Sequence, residues 1–425
     1  MKNNIQKLFL YLLLPIIVFL SLNKHSKDKE KSYHDVIWAD AAGYYVYNAI
    51  WHIYGHDVAS YPDSIDVKTG NGFFINTSNK KIETKYYSGT AILQTPFFYI
   101  SHLLAKPLGF EANGFSKIYA YGLYFAGIIY VYLGLFFLFH FLKRHVSETI
   151  SIIAVIIVFA CTNLFYYSID APGMSHVYSF FVFSLIIYLT PKFIERTSAF
   201  TSILYIALLM LAILIRPTNL FIGIFPFVYN LNSFNEFPTR IKQLIKPRKD
   251  YLIAFLAAFA IAIPQLLYWK SISGNILNDA YKNETFSNWN SPKILEVWFS
   301  TNNGLFTYTP IVILFLIGIY ELQKRHKALA IAILLTFLAL SYIFASWWNW
   351  WFGCSFGARS FVEYYALLII PFAYLLKSAS ENKGLLIFLA LFISFSCYLN
   401  LSIEYYYDGC FYGGTWDFKN FFKLI

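Results

Sequence analysis

Charge is what this sequence has least of. Only 13% of its 425 residues are charged, against 58% hydrophobic and 21% aromatic, a balance that no water-soluble domain of this length sustains. Cysteine is scarce too: four residues, with no paired Cys or His spacing that would hold a structural metal. There is no Walker loop, no dinucleotide-binding glycine fingerprint, no internal repeat and no low-complexity stretch. These absences argue against nucleotide-fuelled chemistry and metal-stabilised folding. The net charge of +10 does not point to nucleic acid, because Lys and Arg sit in small groups at the ends of apolar runs rather than on one basic face.

What is present is apolar helix. Runs suited to crossing a bilayer lie near residues 6–22, 118–142, 149–168, 175–191, 199–215, 217–232, 251–269, 305–322, 327–346, 362–377 and 384–402, each near the ~20 residues a span requires. The expectation is an all-α polytopic membrane protein, one transmembrane domain over 1–425 with about eleven spans and no separate soluble C-terminal domain. The first run follows Lys2 and Lys7 but offers no small-residue cleavage site, so it reads as a retained span. Ala91–Leu108 is ambiguous, since it carries Gln94, Pro96, His102, Lys106 and Pro107.

The positive-inside rule decides that case. If 91–108 lies flat in the interface, Lys143, Arg144, Lys192, Arg196, the cluster from Arg240 to Lys249, Lys324, Arg325, Lys327, Lys377 and Lys383 all fall on the side of Lys2 and Lys7. That side is then the cytoplasm. The N-terminus is expected inside and the C-terminus outside, with 23–117 forming a first periplasmic loop that contains interfacial helices. The outer loops, rich in Trp, Tyr, Gly and Asn, are where chemistry or recognition is expected. Cys354 and Cys410 both fall there, where a disulfide is permitted; Cys161 and Cys397 lie in apolar runs and read as packing residues.

Ionisable groups beside hydrocarbon are costly and tend to be functional. The candidates are Asp40, Lys85, Asp170, His176, Arg216, Arg359 and Glu363. Each has a plain structural reading. Asp40 can cap a helix, Arg216 can snorkel before Pro217, Arg359 and Glu363 can pair four residues apart, His176 can simply pack, and Trp347–Trp351 can belong to an aromatic belt. Taken together, one carboxylate and several cations on a membrane face away from ATP suit a substrate that arrives already activated. A lipid phosphate carrying a sugar is such a substrate. A carboxylate base deprotonates an acceptor hydroxyl, and cations stabilise the departing phosphate.

The motifs resemble the membrane-embedded GT-C glycosyltransferases, in particular the protein O-mannosyltransferase and aminoarabinose-transferase type, glycosyltransferase family 39-like, and their bacterial relatives. In that family an acidic residue in the first outer loop is the base, and Asp40 in Asp40-Ala-Ala-Gly-Tyr-Tyr45 holds the matching place. Lys85-Tyr-Tyr-Ser-Gly89 with Leu93-Gln-Thr-Pro-Phe97 is similar to the motif that leads into a helix lying on the membrane. Ala171-Pro-Gly-Met-Ser-His-Val-Tyr178, Arg216-Pro-Thr-Asn219 and Trp350-Trp-Phe-Gly-Cys-Ser-Phe-Gly-Ala-Arg-Ser360 resemble further motifs of the bacterial relatives.

The resemblance implies a GT-C-like bundle and an inverting glycosyltransferase of the bacterial inner membrane, using a polyprenyl-phosphate-linked sugar as donor. The acceptor is a protein, lipid or envelope glycan. It implies Asp40 as base, Tyr44 and Tyr45 shaping the acceptor site, and Lys85 with Arg359 on the phosphate. Tyr86, Asp170, His176 and Arg216 lie near the same pocket, and Trp350 with its neighbours rests against lipid or sugar. The sequence departs from the family where Ala41 follows Asp40 and where Tyr87-Ser88 replaces a Pro-Pro. No cofactor, no essential metal and no nucleic-acid partner is expected. The rival reading is a transporter or flippase of lipid-linked saccharides, which would carry charges or broken helices near the middle of its spans.

Overall fold

The computed structural model describes residues 2–26, 36–55, 57–76, 80–246, 249–281 and 284–425. It is an all-α polytopic membrane protein, with strand confined, among these residues, to one short hairpin. Twelve helices of ten or more residues are labelled α1 (Lys2–His25), α2 (Asp40–Ala49), α3 (Gly89–Ala105), α4 (Lys117–Leu142), α5 (Glu148–Ala160), α6 (Ser175–Glu195), α7 (Ala199–Ile215), α8 (Lys249–Ser273), α9 (Ile311–Gln323), α10 (Lys327–Ser346), α11 (Tyr365–Ala379) and α12 (Lys383–Tyr406).

Among the described residues, seven apolar helices are long enough to cross a bilayer, beginning at Leu8, Lys117, Ser175, Lys249, Lys327, Arg359 and Lys383. Four shorter ones, Glu148–Ala160, Ala199–Ile215, Pro217–Val228 and Ile311–Gln323, complete the eleven runs expected from sequence. Four of those runs are not the continuous α-helices their hydropathy suggested: 305–322 is interrupted at Thr309–Pro310, 362–377 opens as 3₁₀ helix up to Tyr364, and two others break as follows. The run at 149–168 breaks at Cys161 and resumes at Leu164–Ile169, because Asn163 turns its amide inward to the Phe356 carbonyl (2.9 Å) and the Tyr365 hydroxyl (2.8 Å). The run at 217–232 opens as a 3₁₀ helix over Pro217–Ile224. Pro217 starts it, and Asn219 back-bonds to the Ala212 carbonyl (3.0 Å) and to Ser179 (2.9 Å). The first break is thus filled by internal partners, while at the second Thr218 Oγ1 and Asn219 Oδ1 are left without one among the described residues.

Contacts sort the helix ends into two sets. At one, His145 after α4 meets Tyr229 (3.1 Å) and the ring of His326 before α10, and Gln243 reaches the Ile194 carbonyl near the end of α6. At the other, the end of α1, the start of α6, the end of α7, the start of α11 and the end of α12 converge. The first set carries Arg144, Lys192, Arg196 and Arg240; the second carries the aromatic loops and Asp40. The eleven passes alternate between these two ends, as a chain threading a membrane does.

Helix α3 does not alternate. Its partners Asn48, Gly173 and Tyr119 all belong to the Asp40 end, and its outward face of Tyr99, Ile100, Leu103 and Leu104 is exposed. That one-sided apolar face recurs at i, i+1, i+4, i+5, while the opposite face runs along α4, with His102 beside Tyr119 (2.6 Å) and the Leu93 carbonyl accepting the Tyr130 hydroxyl (2.7 Å). Between α2 and α3 the strands β1 (Phe74–Asn76) and β2 (Lys81–Glu83) pair antiparallel, Ile75 opposite Ile82. The hairpin is tied to α8, where the Tyr268 hydroxyl bonds the Thr84 amide (2.8 Å) and Lys81 bonds the Ile272 carbonyl (2.5 Å).

Candidate functional site

Asp40 opens α2, where the positive end of the helix dipole favours a carboxylate. All of α2 behind it, from Ala41 to Ala49, is buried, so the helix is a fixed post and not a mobile loop. Ala39 precedes it with φ 48°, a conformation alanine seldom adopts. Two glycines allow it. A Cβ on Gly72 would stand 1.7 Å from the Ala39 carbonyl oxygen, and one on Gly173 would stand 2.1 Å from that of Val36. The turn delivering Asp40 is therefore clamped between the hairpin and the 171–178 motif.

The carboxylate has two partners. Oδ1 accepts the Tyr86 hydroxyl, and Oδ2 accepts Arg359 Nη2 at 2.7 Å. The Asp40 side chain remains 30% exposed and Arg359 14%, so the pair lies at the rim of the site, within reach of a substrate. Burial pulls the Asp40 carboxyl upward, but Arg359, the Tyr86 hydroxyl and Lys85 outweigh it and hold it below the usual carboxylate range. Burial, and then Asp40 itself, keep the Tyr86 phenol well above its ordinary value, so Tyr86 stays a donor. Tyr44, one turn along α2, tilts its ring against Tyr86 at 4.5 Å and accepts a hydrogen bond from Ser175 (3.3 Å).

Lys85 does not reach Asp40 directly. It pairs with Glu284, and its ammonium lies 5.6 Å from the Tyr86 ring and 5.8 Å from that of Tyr281. Behind Tyr44 is a second, deeper charge group: Arg216 Nη1 bonds Glu363 Oε1 at 2.9 Å, and His176 Nδ1 lies 3.3 Å from both Glu363 Oε2 and Arg216 Nη1. Glu363 is fully buried and His176 nearly so. The 359–363 pairing open on sequence grounds is not formed. Residues 359–364 are 3₁₀ helix, at three residues per turn, which sets positions i and i+4 a third of a turn apart. Arg359 accordingly faces Asp40 while Glu363 faces Arg216.

The expected site residues therefore divide. Asp40, Tyr44, Lys85, Tyr86 and Arg359 meet around one carboxylate, with Arg216 and His176 in the adjoining group. Tyr45 points elsewhere: its hydroxyl bonds the Gly114 carbonyl (2.5 Å) and its ring packs between Phe98 and Phe115, so it belongs to the core of the outer loop. Asp170 lies in a separate cluster with Lys24 and Glu404, joining the ends of α1 and α12. Trp350 is largely buried, edge-on to Trp351; Trp348 and Trp351 are the exposed members of that run.

Sequence reasoning missed Glu284 and Tyr281, which had no neighbouring motif to mark them, and Gln265, which had one. A fully buried glutamine beside Pro264 in an apolar run is a signal, and Gln265 indeed bonds the Ser88 amide (2.7 Å) and the Tyr47 hydroxyl (3.3 Å), fastening the lysine motif to α8. Among the described residues no group of three or more His, Cys, Asp or Glu is placed to hold a metal. Cys354 and Cys410 form a disulfide that ties the loop before Arg359 to the segment after α12.

No protein-family model matches this sequence, and no curated protein matches it. Among solved structures, the ligand-free oligosaccharyltransferase of Archaeoglobus fulgidus aligns with 98% of this chain at 12% identity and a TM-score of 0.46. The chain spans 54% of the length of that protein.

Proposed function

We propose that this protein is an inverting glycosyltransferase that moves a sugar from a polyprenyl-phosphate donor to an acceptor hydroxyl at the outer face of a bacterial inner membrane. The observation that carries the reading is the grouping at one end of the bundle of a reachable carboxylate, Asp40, with Arg359 and Tyr86 in contact and Lys85 close by. The GT-C-like motifs around Asp40 and Lys85 support it, as do Arg144, Lys192, Arg196 and Arg240 at the opposite end, which the positive-inside rule reads as the cytoplasmic one.

In this mechanism Asp40 accepts the proton of the acceptor hydroxyl as its oxygen attacks the anomeric carbon. The bond from that carbon to the phosphate oxygen breaks, and the phosphate leaves with the electron pair on the face opposite the attack, so the configuration inverts. Arg359 and Lys85 stand where the growing negative charge needs stabilising. Tyr86 keeps Asp40 aligned, and Tyr44 borders the acceptor side. Because phosphate departs as a stable anion, no second carboxylic acid is needed; Glu363, sealed against Arg216 and His176, takes no part in proton transfer.

The rival, a carrier of lipid-linked saccharides, calls for unpaired polar groups at broken helices in mid-membrane. Asn163 closes the break after Cys161, whereas Thr218 Oγ1 and Asn219 Oδ1 at the Pro217 break have no partner among the described residues, so donor movement is an outcome the experiment has to register. The deciding experiment supplies the purified protein in nanodiscs with a sugar-loaded polyprenyl phosphate and a panel of hydroxyl acceptors. Release of free polyprenyl phosphate with formation of a glycoside of inverted configuration is expected. Donor movement between leaflets without cleavage would overturn the reading in favour of the carrier.

A further inference from the structure

The second ion pair at this end, Lys85 with Glu284, is not required by the mechanism above. Its two side chains are 36% and 25% exposed, so water and a ligand both reach it. Such half-exposed pairs are weak and exchangeable. Yet the carboxylate is held in place deliberately. Just beyond Glu284, the Thr285 carbonyl accepts the Trp348 amide (3.0 Å), and Asn288 bonds Ser346 through its backbone (3.0 Å) and the Trp347 carbonyl through its side chain (2.8 Å). Phe286 packs edge-on against the Trp347 ring at 4.9 Å. The brace runs into the same loop that ends at Arg359. A glutamate fixed by its neighbours, but bonded to its lysine by an exchangeable contact, is suited to being displaced.

The ammonium it occupies is the one that borders Tyr86, and through it Asp40. Any anion entering the site must compete with Glu284 for Lys85. We propose that Glu284 is a further binding residue at this site, an internal stand-in for the substrate's phosphate that occupies Lys85, and so weakens phosphate binding, until a lipid phosphate displaces it. A neutral lipid gains nothing from Lys85 and leaves the pair intact, whereas a phosphate, carrying more charge and more acceptor oxygens than a carboxylate, takes the ammonium over. Glu284 thus lowers the affinity for a phosphate-bearing lipid by competition and leaves that for a neutral lipid unchanged. This deepens the function proposed above and rests on its assignment of a phosphate-bearing lipid to the Asp40 end.

The test is a binding measurement that needs no turnover. The full chain in neutral phosphatidylcholine nanodiscs is titrated with undecaprenyl phosphate and, separately, with undecaprenol, and occupancy is read by native mass spectrometry. Glu284→Gln should bind the phosphate about 1.5- to fivefold more tightly than the wild type, the range expected on removing one weak competing ion pair. Glu284→Asp should restore wild-type binding, and in a Lys85→Met background Glu284→Gln should change nothing. Undecaprenol binding should be the same in all five proteins. Unchanged or weaker phosphate binding in Glu284→Gln, an equal gain in the Lys85→Met background, an equal gain for the alcohol, or no phosphate binding by any variant would each overturn the proposal. If the phosphate tightens as expected but no sugar is ever transferred, the glycosyltransferase reading fails and the exchange stands. If sugar is transferred and the affinity does not move, the exchange alone falls.

Discussion

Arg359 Nη2 lies 2.7 Å from Asp40 Oδ2, a contact that closes 319 residues of chain. It joins the first outer loop to the segment leading into α11, and the two halves of the site have no other direct ion pair between them among the described residues. The carboxylate is aligned by Tyr86 and covered by a guanidinium, which in the mechanism proposed above holds a base ready beside the cation that meets the departing phosphate.

Replacing Asp40 by Asn should leave the fold standing while lowering sugar transfer by about 10²–10⁴-fold, the usual worth of a positioned base. The measurement is product release under saturating donor, with a thermal melt as the control. Wild-type turnover in a folded Asp40→Asn protein would remove Asp40 from the mechanism.

The pH dependence of stability has a definite sign at the same residue. Asp40 is held below its unfolded value, so its contribution with Arg359 is complete above that value and is lost as pH falls through the lower folded one. Melting curves of the wild type and Asp40→Asn should therefore stay apart from neutrality down to about pH 4 and converge below it.

Asp170 should behave oppositely. Burial, with Glu404 beside it, pushes its carboxyl up to about 8 despite the Lys24 ion pair. A raised acid stabilises the fold fully below its unfolded value, and that contribution is lost as pH rises through the folded one. Wild-type melting temperature should decline between about pH 4, the unfolded value, and pH 8. Asp170→Asn should flatten that decline; a slope unchanged by the substitution would show that another group sets it.

How much of this was legible in the sequence follows from the range of each interaction. The apolar helices and their order could be read because hydropathy is a local, summed property. Asp40 stood out because a carboxylate beside so much hydrocarbon is rare. What could not be read were partners separated by long stretches of chain: Glu284 for Lys85 across 199 residues, and Glu363 for Arg216 across 147. Local rules misled where the backbone was irregular. The i, i+4 pairing of Arg359 with Glu363 presumes an α-helix and the chain is 3₁₀ there. Tyr44 and Tyr45 looked equivalent as neighbours in sequence, but a helix turns them about 100° apart, one to Tyr86 and the other to Gly114.

Glu363 offers a sharp test of the deeper charge group. It is fully buried and faces an Arg216 side chain only 14% exposed. Glu363→Gln would leave that guanidinium without its counter-charge and should cost about 3–5 kcal/mol of stability. Arg216→Gln added to it should recover part of the loss, since both charges then leave together. Equal destabilisation in single and double variants would mean that packing, and not charge, is what Glu363 supplies.

The disulfide provides the last prediction, because it acts on Asp40 at a distance. Cys354–Cys410 closes a loop of 56 residues, and the chain from Cys354 runs through Gly357, at φ 63°, directly to Arg359. The Tyr407 hydroxyl bonds the Ser355 carbonyl (2.5 Å) beside it, so two ties hold this stretch against the segment after α12. Replacing both cysteines by serine should cost about 2–4 kcal/mol by the loop-entropy argument. It should also loosen the hold of Arg359 on Asp40. With the guanidinium less firmly placed, the Asp40 carboxyl rises toward its ordinary value, and the acid limb of the pH–rate profile should move to higher pH while donor binding through Lys85 is little changed. Loss of stability with an unmoved acid limb would show that the disulfide braces the fold without positioning Arg359.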